Sequence, residues 1–158
     1  MKKQEKFLSN ALQRKMSKIK GKYMSKILII NTIDRNSIEL GIYQKDELRC
    51  FEFETEKPLD WLPKGARGKQ SEDLLPAIDG ILKKEKLSLQ DINSVLVNQG
   101  PGSYTGVRVG VTVANTLGWS LNIPVYGYRE GELEKILEKL STSKISKFSK
   151  IVLPYYSK

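Results

Sequence analysis

Gln99-Gly100-Pro101-Gly102-Ser103-Tyr104-Thr105-Gly106-Val107-Arg108-Val109-Gly110 follows the short apolar run Val95-Leu96-Val97 and opens a long apolar segment that ends near Leu121. The order predicts a strand, a glycine-rich turn and a helix. Gly100 and Gly102 admit backbone conformations closed to other residues. Pro101 stiffens the turn between them, and Ser103 or Thr105 can cap the first turn of the helix. Backbone N–H groups at a helix start attract anions. Gly100, Gly102, Ser103, Tyr104 and Thr105 therefore form a candidate anion-binding turn, although a tight turn with a good cap explains the same residues without any ligand.

The helix is more unusual than the turn. Gly106, Gly110, Ala114 and Gly118 fall four residues apart and share one face. Each glycine inside a helix costs roughly 0.8–1 kcal/mol relative to alanine. A face without side chains offsets that cost by letting another backbone approach closely. The other faces carry Val107, Val109, Val111, Val113, Leu117, Trp119 and Leu121, so the helix is covered on more than one side. The small-residue face meets either the chain's own sheet or a helix of a partner; spacing alone leaves both open.

A chain of 158 residues is long enough for one domain with a sizeable core. No apolar run is long enough to span a bilayer and no signal-peptide pattern is present, which predicts a cytoplasmic protein without membrane contact. Cys50 alone makes no internal disulfide framework. The absence of histidine removes the usual zinc sites and histidine-based triads, so neither a metal site nor a peptidase centre is expected. The net charge of +9 is uneven: residues 1–23 carry +7, residues 141–158 carry +4, and the stretch between them carries −2. A nearly neutral body with basic ends predicts tails that touch RNA or acidic surfaces non-specifically, or simply solvated termini.

Residues 1–23 read as a basic extension, disordered or helical, dispensable for folding, with Met24 a plausible start. Lys26–Asn31, Ser37–Tyr43 and Leu48–Phe53 read as three antiparallel strands joined by hairpins. Pro58–Gly68 is a loop. Ser71 caps a helix running to about Lys86, with Leu74, Leu75, Ile78, Ile81 and Leu82 as its apolar stripe. A fourth strand spans Ser94–Val97; Asn122-Ile123-Pro124 stops the small-residue helix, and Val125–Tyr128 is a fifth strand. A charged helix near Glu132–Leu140, a Ser/Lys-rich linker and a last candidate strand, Ile151–Tyr155, complete the chain. The pattern is α/β: a mixed five-stranded sheet with helices packed on it.

Three strands, helix, strand, helix, strand is the order of the actin-like, ribonuclease-H-like half-domain shared by actin, sugar kinases and heat-shock ATPases. Within it, GPGSYTGVRVG resembles the signature of the bacterial TsaB (YeaZ) family. QSEDLLPAIDGILKK resembles that family's HSE-x-LLP helix, with Gln70 where histidine is usual, and LNIPVYGY resembles its later strand. The resemblance covers about Lys26 to Tyr128.

It implies a non-catalytic subunit of the machinery that makes N6-threonylcarbamoyladenosine at position 37 of tRNAs. The family pairs with TsaD, the catalytic subunit, through a helical bundle, and TsaE, an ATPase, joins them. A homodimer is the alternative pairing, and tRNA is reached indirectly or through the basic tails. The implied interface residues are Ser71, Glu72, Leu75, Gly106, Arg108, Gly110, Ala114 and Gly118, and no cofactor is expected.

Two features depart from the wider superfamily. Its first strand usually ends in an aspartate; here the position is Asn31, whose amide cannot serve as a general base and is a poor magnesium ligand. The second half-domain is reduced, over residues 131–158, to a helix and one candidate strand, and half a cleft buries little of a ligand. The rival reading is a small phosphotransferase or ATPase using the glycine turn; it lacks a P-loop lysine after the glycines. Arg108, in the first turn of a helix where the dipole does not favour a cation, reads as a partner contact or a surface arginine.

Overall fold

The computed structural model describes residues 25–55, 69–142 and 151–157. The basic extension, the Pro58–Gly68 loop with Trp61 and most of the Ser/Lys-rich linker lie outside these residues. Five strands, β1 (Ile27–Asn31), β2 (Ser37–Gln44), β3 (Glu47–Glu54), β4 (Ser94–Asn98) and β5 (Val125–Tyr128), form one sheet in the order β3-β2-β1-β4-β5. The first three run antiparallel through hairpins, with Ile29 opposite Gly41 and Leu40 opposite Phe51; β4 and β5 join parallel to β1. Lys45 and Asp46 hold positive φ in the two-residue β2–β3 turn, the backbone that matches strand twist.

Period-two alternation divides the sheet into two cores. Leu28, Ile30, Ile38, Leu40, Ile42, Val95 and Val97 face helix α1 (Gln70–Lys84) and helix α2 (Tyr104–Leu121). Ile27, Ile29, Tyr43, Leu48, Cys50, Leu96 and Tyr128 face helix α3 (Leu133–Thr142), through its Leu133, Leu137 and Leu140. Strands β1 and β4 are buried along their whole length because both faces are covered, which is why their sequences read as continuous apolar runs. The charged helix expected as a remnant of a second domain thus supplies the second layer over the first domain's sheet.

Several expectations need local correction. Ser71 does not cap α1: the helix starts one residue earlier, Lys69 stands at the cap position without a side-chain cap bond, and Ser71 lies exposed on the first turn. Ser103 rather than Thr105 caps α2, accepting from the Gly106 N–H at 3.3 Å. Asn122, in the left-handed region, ends α2, its N–H and that of Ile123 returning to Gly118 and Trp119 carbonyls. Ile151–Tyr155, expected as a strand, forms no strand ladder among the described residues.

Candidate partner groove and the closed glycine turn

The loop that follows β1 meets the starts of both helices. Ser103 N–H donates to the Ile33 carbonyl at 2.7 Å, and the Thr32 hydroxyl donates to the Gly106 carbonyl at 2.7 Å. Gln70, nearly buried, places its amide nitrogen against three carbonyls: Thr32 at 3.2 Å, Asp34 at 2.5 Å and Ser37 at 2.8 Å. A side-chain amide thereby satisfies the carbonyls that the β1–β2 turn leaves outside the ladder.

That clasp decides which way the small-residue face points. A Cβ added at Gly106 would strike the Thr32 carbonyl oxygen, and one at Gly110 would strike the Thr32 hydroxyl, with Ile30 Cγ2 at 3.6 Å. Ala114 and Gly118 are also buried. Gly106, Gly110, Ala114 and Gly118 therefore pack inside the chain, and the expectation that they line a seam open to a partner is corrected. The physical reason is the close approach of α2 to the end of β1, which only residues lacking a side chain permit.

The turn itself is partly occupied by neighbouring protein atoms. Gly100, at φ +102°, lies under the Tyr155 carbonyl, and a Cβ on Gly102 would fall 2.5 Å from Ile33 Cβ. The N–H of Gly100 goes to Asn98 Oδ1 at 3.1 Å, that of Ser103 to Ile33 and that of Gly106 to the Ser103 hydroxyl. Protein atoms stand where a Cβ on Gly100 or Gly102 would lie, while Gly102, Tyr104 and Thr105 are exposed.

The Asn31 amide is likewise engaged: it donates to Glu39 Oε2 at 2.6 Å and accepts from the Ile33 N–H at 3.2 Å. Burial pushes the Glu39 carboxyl up to about 7; the Asn31 bond opposes this, and Glu52 and Asp34 add to it. Tyr128 on the same face of the sheet has a buried hydroxyl without a partner among the described residues, and burial, then Glu39 and Cys50, push its ionisation upward. The Asp73 carboxyl on α1 is buried without a hydrogen-bond partner among the described residues, and its pKa is raised by desolvation and then by Glu72. No group of three or more acidic or cysteine side chains that could hold a metal occurs among the described residues.

What remains open is the outer side of α1 and α2. A groove of about 390 Å³ runs there, lined by Ser71, Tyr104, Thr105, Arg108, Val109, Thr112 and Val113. Leu75 lies one turn beyond Ser71 on the same face of α1 and is 55% exposed. Glu72 is exposed and pairs with Lys69 at 3.4 Å. Arg108 donates to the Tyr104 hydroxyl at 2.8 Å. Ser71, Leu75 and Arg108 are thus brought to one surface, while the glycines they were grouped with lie beneath it.

Sequence reasoning read the terminal segment as a strand and missed how it docks on α2. Asn115, a polar residue in the middle of an apolar helix, holds Val152 by two bonds, and the Tyr155 N–H donates to the Gln99 carbonyl at 2.7 Å. The side-chain amide in the apolar run was the available signal.

A family model described as TsaD, tRNA N6-adenosine threonylcarbamoyltransferase, matches residues 61–134. The chain is 51% identical over 51 residues to the tRNA threonylcarbamoyladenosine biosynthesis protein TsaB of Bacillus subtilis, covering 32% of this chain and 22% of the relative. It is 41% identical over 54 residues to the TsaB protein of Escherichia coli, covering 34% and 23%. The match to the TsaB protein of Buchnera aphidicola subsp. Baizongia pistaciae is 41% over 63 residues, covering 40% and 28%. These matches span about a quarter of the curated relatives' length. In three dimensions the chain is similar to YeaZ from Pseudomonas aeruginosa, with a TM-score of 0.55 at 21% identity, covering 67% of this chain and 44% of that one. That likeness concerns the fold: the mixed five-stranded sheet with its helices is of the actin-like kind. No described helix is long and apolar enough to cross a membrane. Over part of its length the chain is thus similar to TsaB proteins, and its sheet with its helices shares the fold of a YeaZ structure.

Proposed function

We propose that this protein is a non-catalytic interaction subunit of the tRNA threonylcarbamoyladenosine machinery, docking a TsaD-like catalytic subunit on the outer faces of α1 and α2. The observation that carries the reading is the groove itself. Val109, Val113 and Leu75 are offered to solvent beside Ser71, Thr105 and Thr112, a mixture of apolar and small polar side chains that lets a second helix pair pack closely. The closed turn and the engaged Asn31 amide support a binding role over phosphoryl transfer: the glycine turn presents Ile33 and Tyr155 where a phosphate would lie. In this reading a TsaE-like ATPase joins the pair, tRNA is modified by the assembly, and a homodimer uses the same groove when the catalytic subunit is absent.

Calorimetric titration against a TsaD-like subunit tests it. Leu75→Glu and Thr112→Arg change exposed positions, so melts should match the parent. Each should weaken pairing by about tenfold or more, as expected for a charge placed in a desolvated interface. Undiminished affinity in both variants, or magnesium-dependent ATP hydrolysis that follows the isolated chain through purification, overturns the reading.

A further inference from the structure

Three tyrosines and two arginines from distant parts of the chain converge beside the glycine turn. The rings of Tyr104 and Tyr156 stack with centroids 5.1 Å apart and planes inclined by 29°. The Arg108 guanidinium lies 4.9 Å from the Tyr104 centroid, and that of Arg129 lies 3.8 Å from the Tyr155 centroid. Tyr104 is 61% exposed, Tyr155 38% and Tyr156 41%. Neither guanidinium has a carboxylate within ion-pair distance among the described residues. Glu132, the nearest acid in sequence to Arg129 with a described bond, spends its carboxylate on the Arg129 backbone N–H.

The chemistry is specific. Large aromatic faces left half in water gain by being covered by another flat, apolar face. Cations held against those faces without counter-ions carry their charge outward to a ligand's anionic groups. A protein surface would match the rings with aliphatic side chains and the arginines with acids. Unpaired nucleobases satisfy both needs at once, since stacking bases arrive with phosphates one repeat apart. The sequence adds a long-range attraction: residues 141–158 contain four lysines and no acid.

We propose that the cluster of Tyr104, Tyr155, Tyr156, Arg108 and Arg129 binds single-stranded RNA. A base stacks on the outer face of Tyr156, which Tyr104 backs, and the two guanidinium groups neutralise flanking phosphates. The site is carried by this chain alone; Tyr104 and Arg108 also line the partner groove, whereas Tyr155, Tyr156 and Arg129 do not. Double-stranded RNA is a poor ligand because its bases are already stacked and its deep groove does not admit the rings.

Fluorescence anisotropy on the full chain tests this with a labelled mixed-sequence RNA of about 12 nucleotides, within the usual single-strand site size, free or annealed to its complement. The single strand should bind more tightly than the duplex. Tyr156→Ala and Tyr104→Ala should each weaken it about five- to a hundredfold, whereas Tyr156→Trp should retain it. Arg129→Gln should lower the salt dependence by about one counter-ion. Leu75→Glu, outside the aromatic cluster, should leave RNA affinity unchanged, and Tyr156→Ala, outside the groove lining, should leave protein pairing unchanged, so that failure of one reading is distinguishable from failure of the other. Parental affinity in Tyr156→Ala, with its melt unchanged, overturns the proposal. Equal affinity for duplex and single strand overturns it too, leaving only the charge of the tails. The proposal also fails if the tyrosine variants impair pairing with a protein subunit and spare RNA binding.

Discussion

Asn115 grips Val152 as a neighbouring strand would: its Oδ1 accepts from the Val152 N–H at 3.0 Å while its Nδ2 donates to the Val152 carbonyl at 2.9 Å. A single side chain thus replaces two ladder bonds and ties the terminal segment to α2. The segment then reaches Tyr155, whose N–H meets Gln99 and whose carbonyl covers Gly100. A polar amide in an otherwise apolar helix is explained by this clasp.

Asn115→Leu should release the segment. Two buried-side backbone groups lose their partner, a loss of about 1–3 kcal/mol if they stay unsatisfied. Because the segment is terminal, it should detach into water instead, leaving the global melt within about 1 kcal/mol of the parent. Hydrogen exchange should rise at Val152 and Tyr155. Unchanged protection at both amides would show that other contacts hold the segment down.

Gly110→Leu has opposing expectations that the structure resolves. The substitution improves helix propensity by up to about 1 kcal/mol. It also drives a side chain into the Thr32 hydroxyl and toward Ile30. Overpacking of this kind costs roughly 1–3 kcal/mol and the obstruction is next to backbone, so the net sign is destabilising. A urea melt should show a lower midpoint; an equal or higher midpoint would mean α2 lies farther from β1 than described.

Glu39 should make stability fall with rising pH. Its carboxyl titrates at 4.5 when unfolded and near 7 when folded, chiefly because burial disfavours the charge. The folded state therefore holds the proton over that interval, and the contribution present below pH 4.5 is lost as the pH rises through 7. Glu39 is partly exposed, so the shift is discounted for screening to about 1–2 kcal/mol. The raised Asp73 carboxyl acts in the same direction. Glu39→Gln can still accept from Asn31, and it should flatten the pH dependence while raising stability at pH 8. Urea melts at pH 5 and 8 check both; an unaltered slope in the variant would remove Glu39 as its source.

The order of elements was legible in the chain because it rests on local physics. Alternation at Ile38, Leu40 and Ile42, the continuous apolar run Ile27–Ile30 and the Gly–Pro–Gly turn each specify their own neighbourhood. The family resemblance was legible for the same reason, since it lies in the contiguous α1 and turn-to-α2 segments. The resemblance, not periodicity, grouped Ser71, Leu75 and Arg108; periodicity put Leu75 in the apolar stripe of its helix, yet all three lie exposed. The direction of the glycine face was not legible. Spacing puts four small residues in line but is symmetric between an inner and an outer neighbour, and only the Thr32–Gly106 bond and the Gln70 clasp, made across long separations, turn that face inward.

The docking of the terminal segment escaped for a related reason. The segment's apolar residues are consistent with a strand, but it joins no ladder and is held by the Asn115 side chain instead. Sequence by itself determined which segments are strands and helices and which family they resemble, because backbone preference and side-chain period are properties of short stretches. Tertiary structure alone decided which surfaces stay open: it closed the glycine turn with Ile33 and Tyr155 and assembled Tyr104, Tyr155, Tyr156, Arg108 and Arg129 from three separate segments. Contacts such as Tyr104–Tyr156 and Arg129–Tyr155, between separate segments, depend on how the fold brings those segments together, and no local pattern encodes that approach.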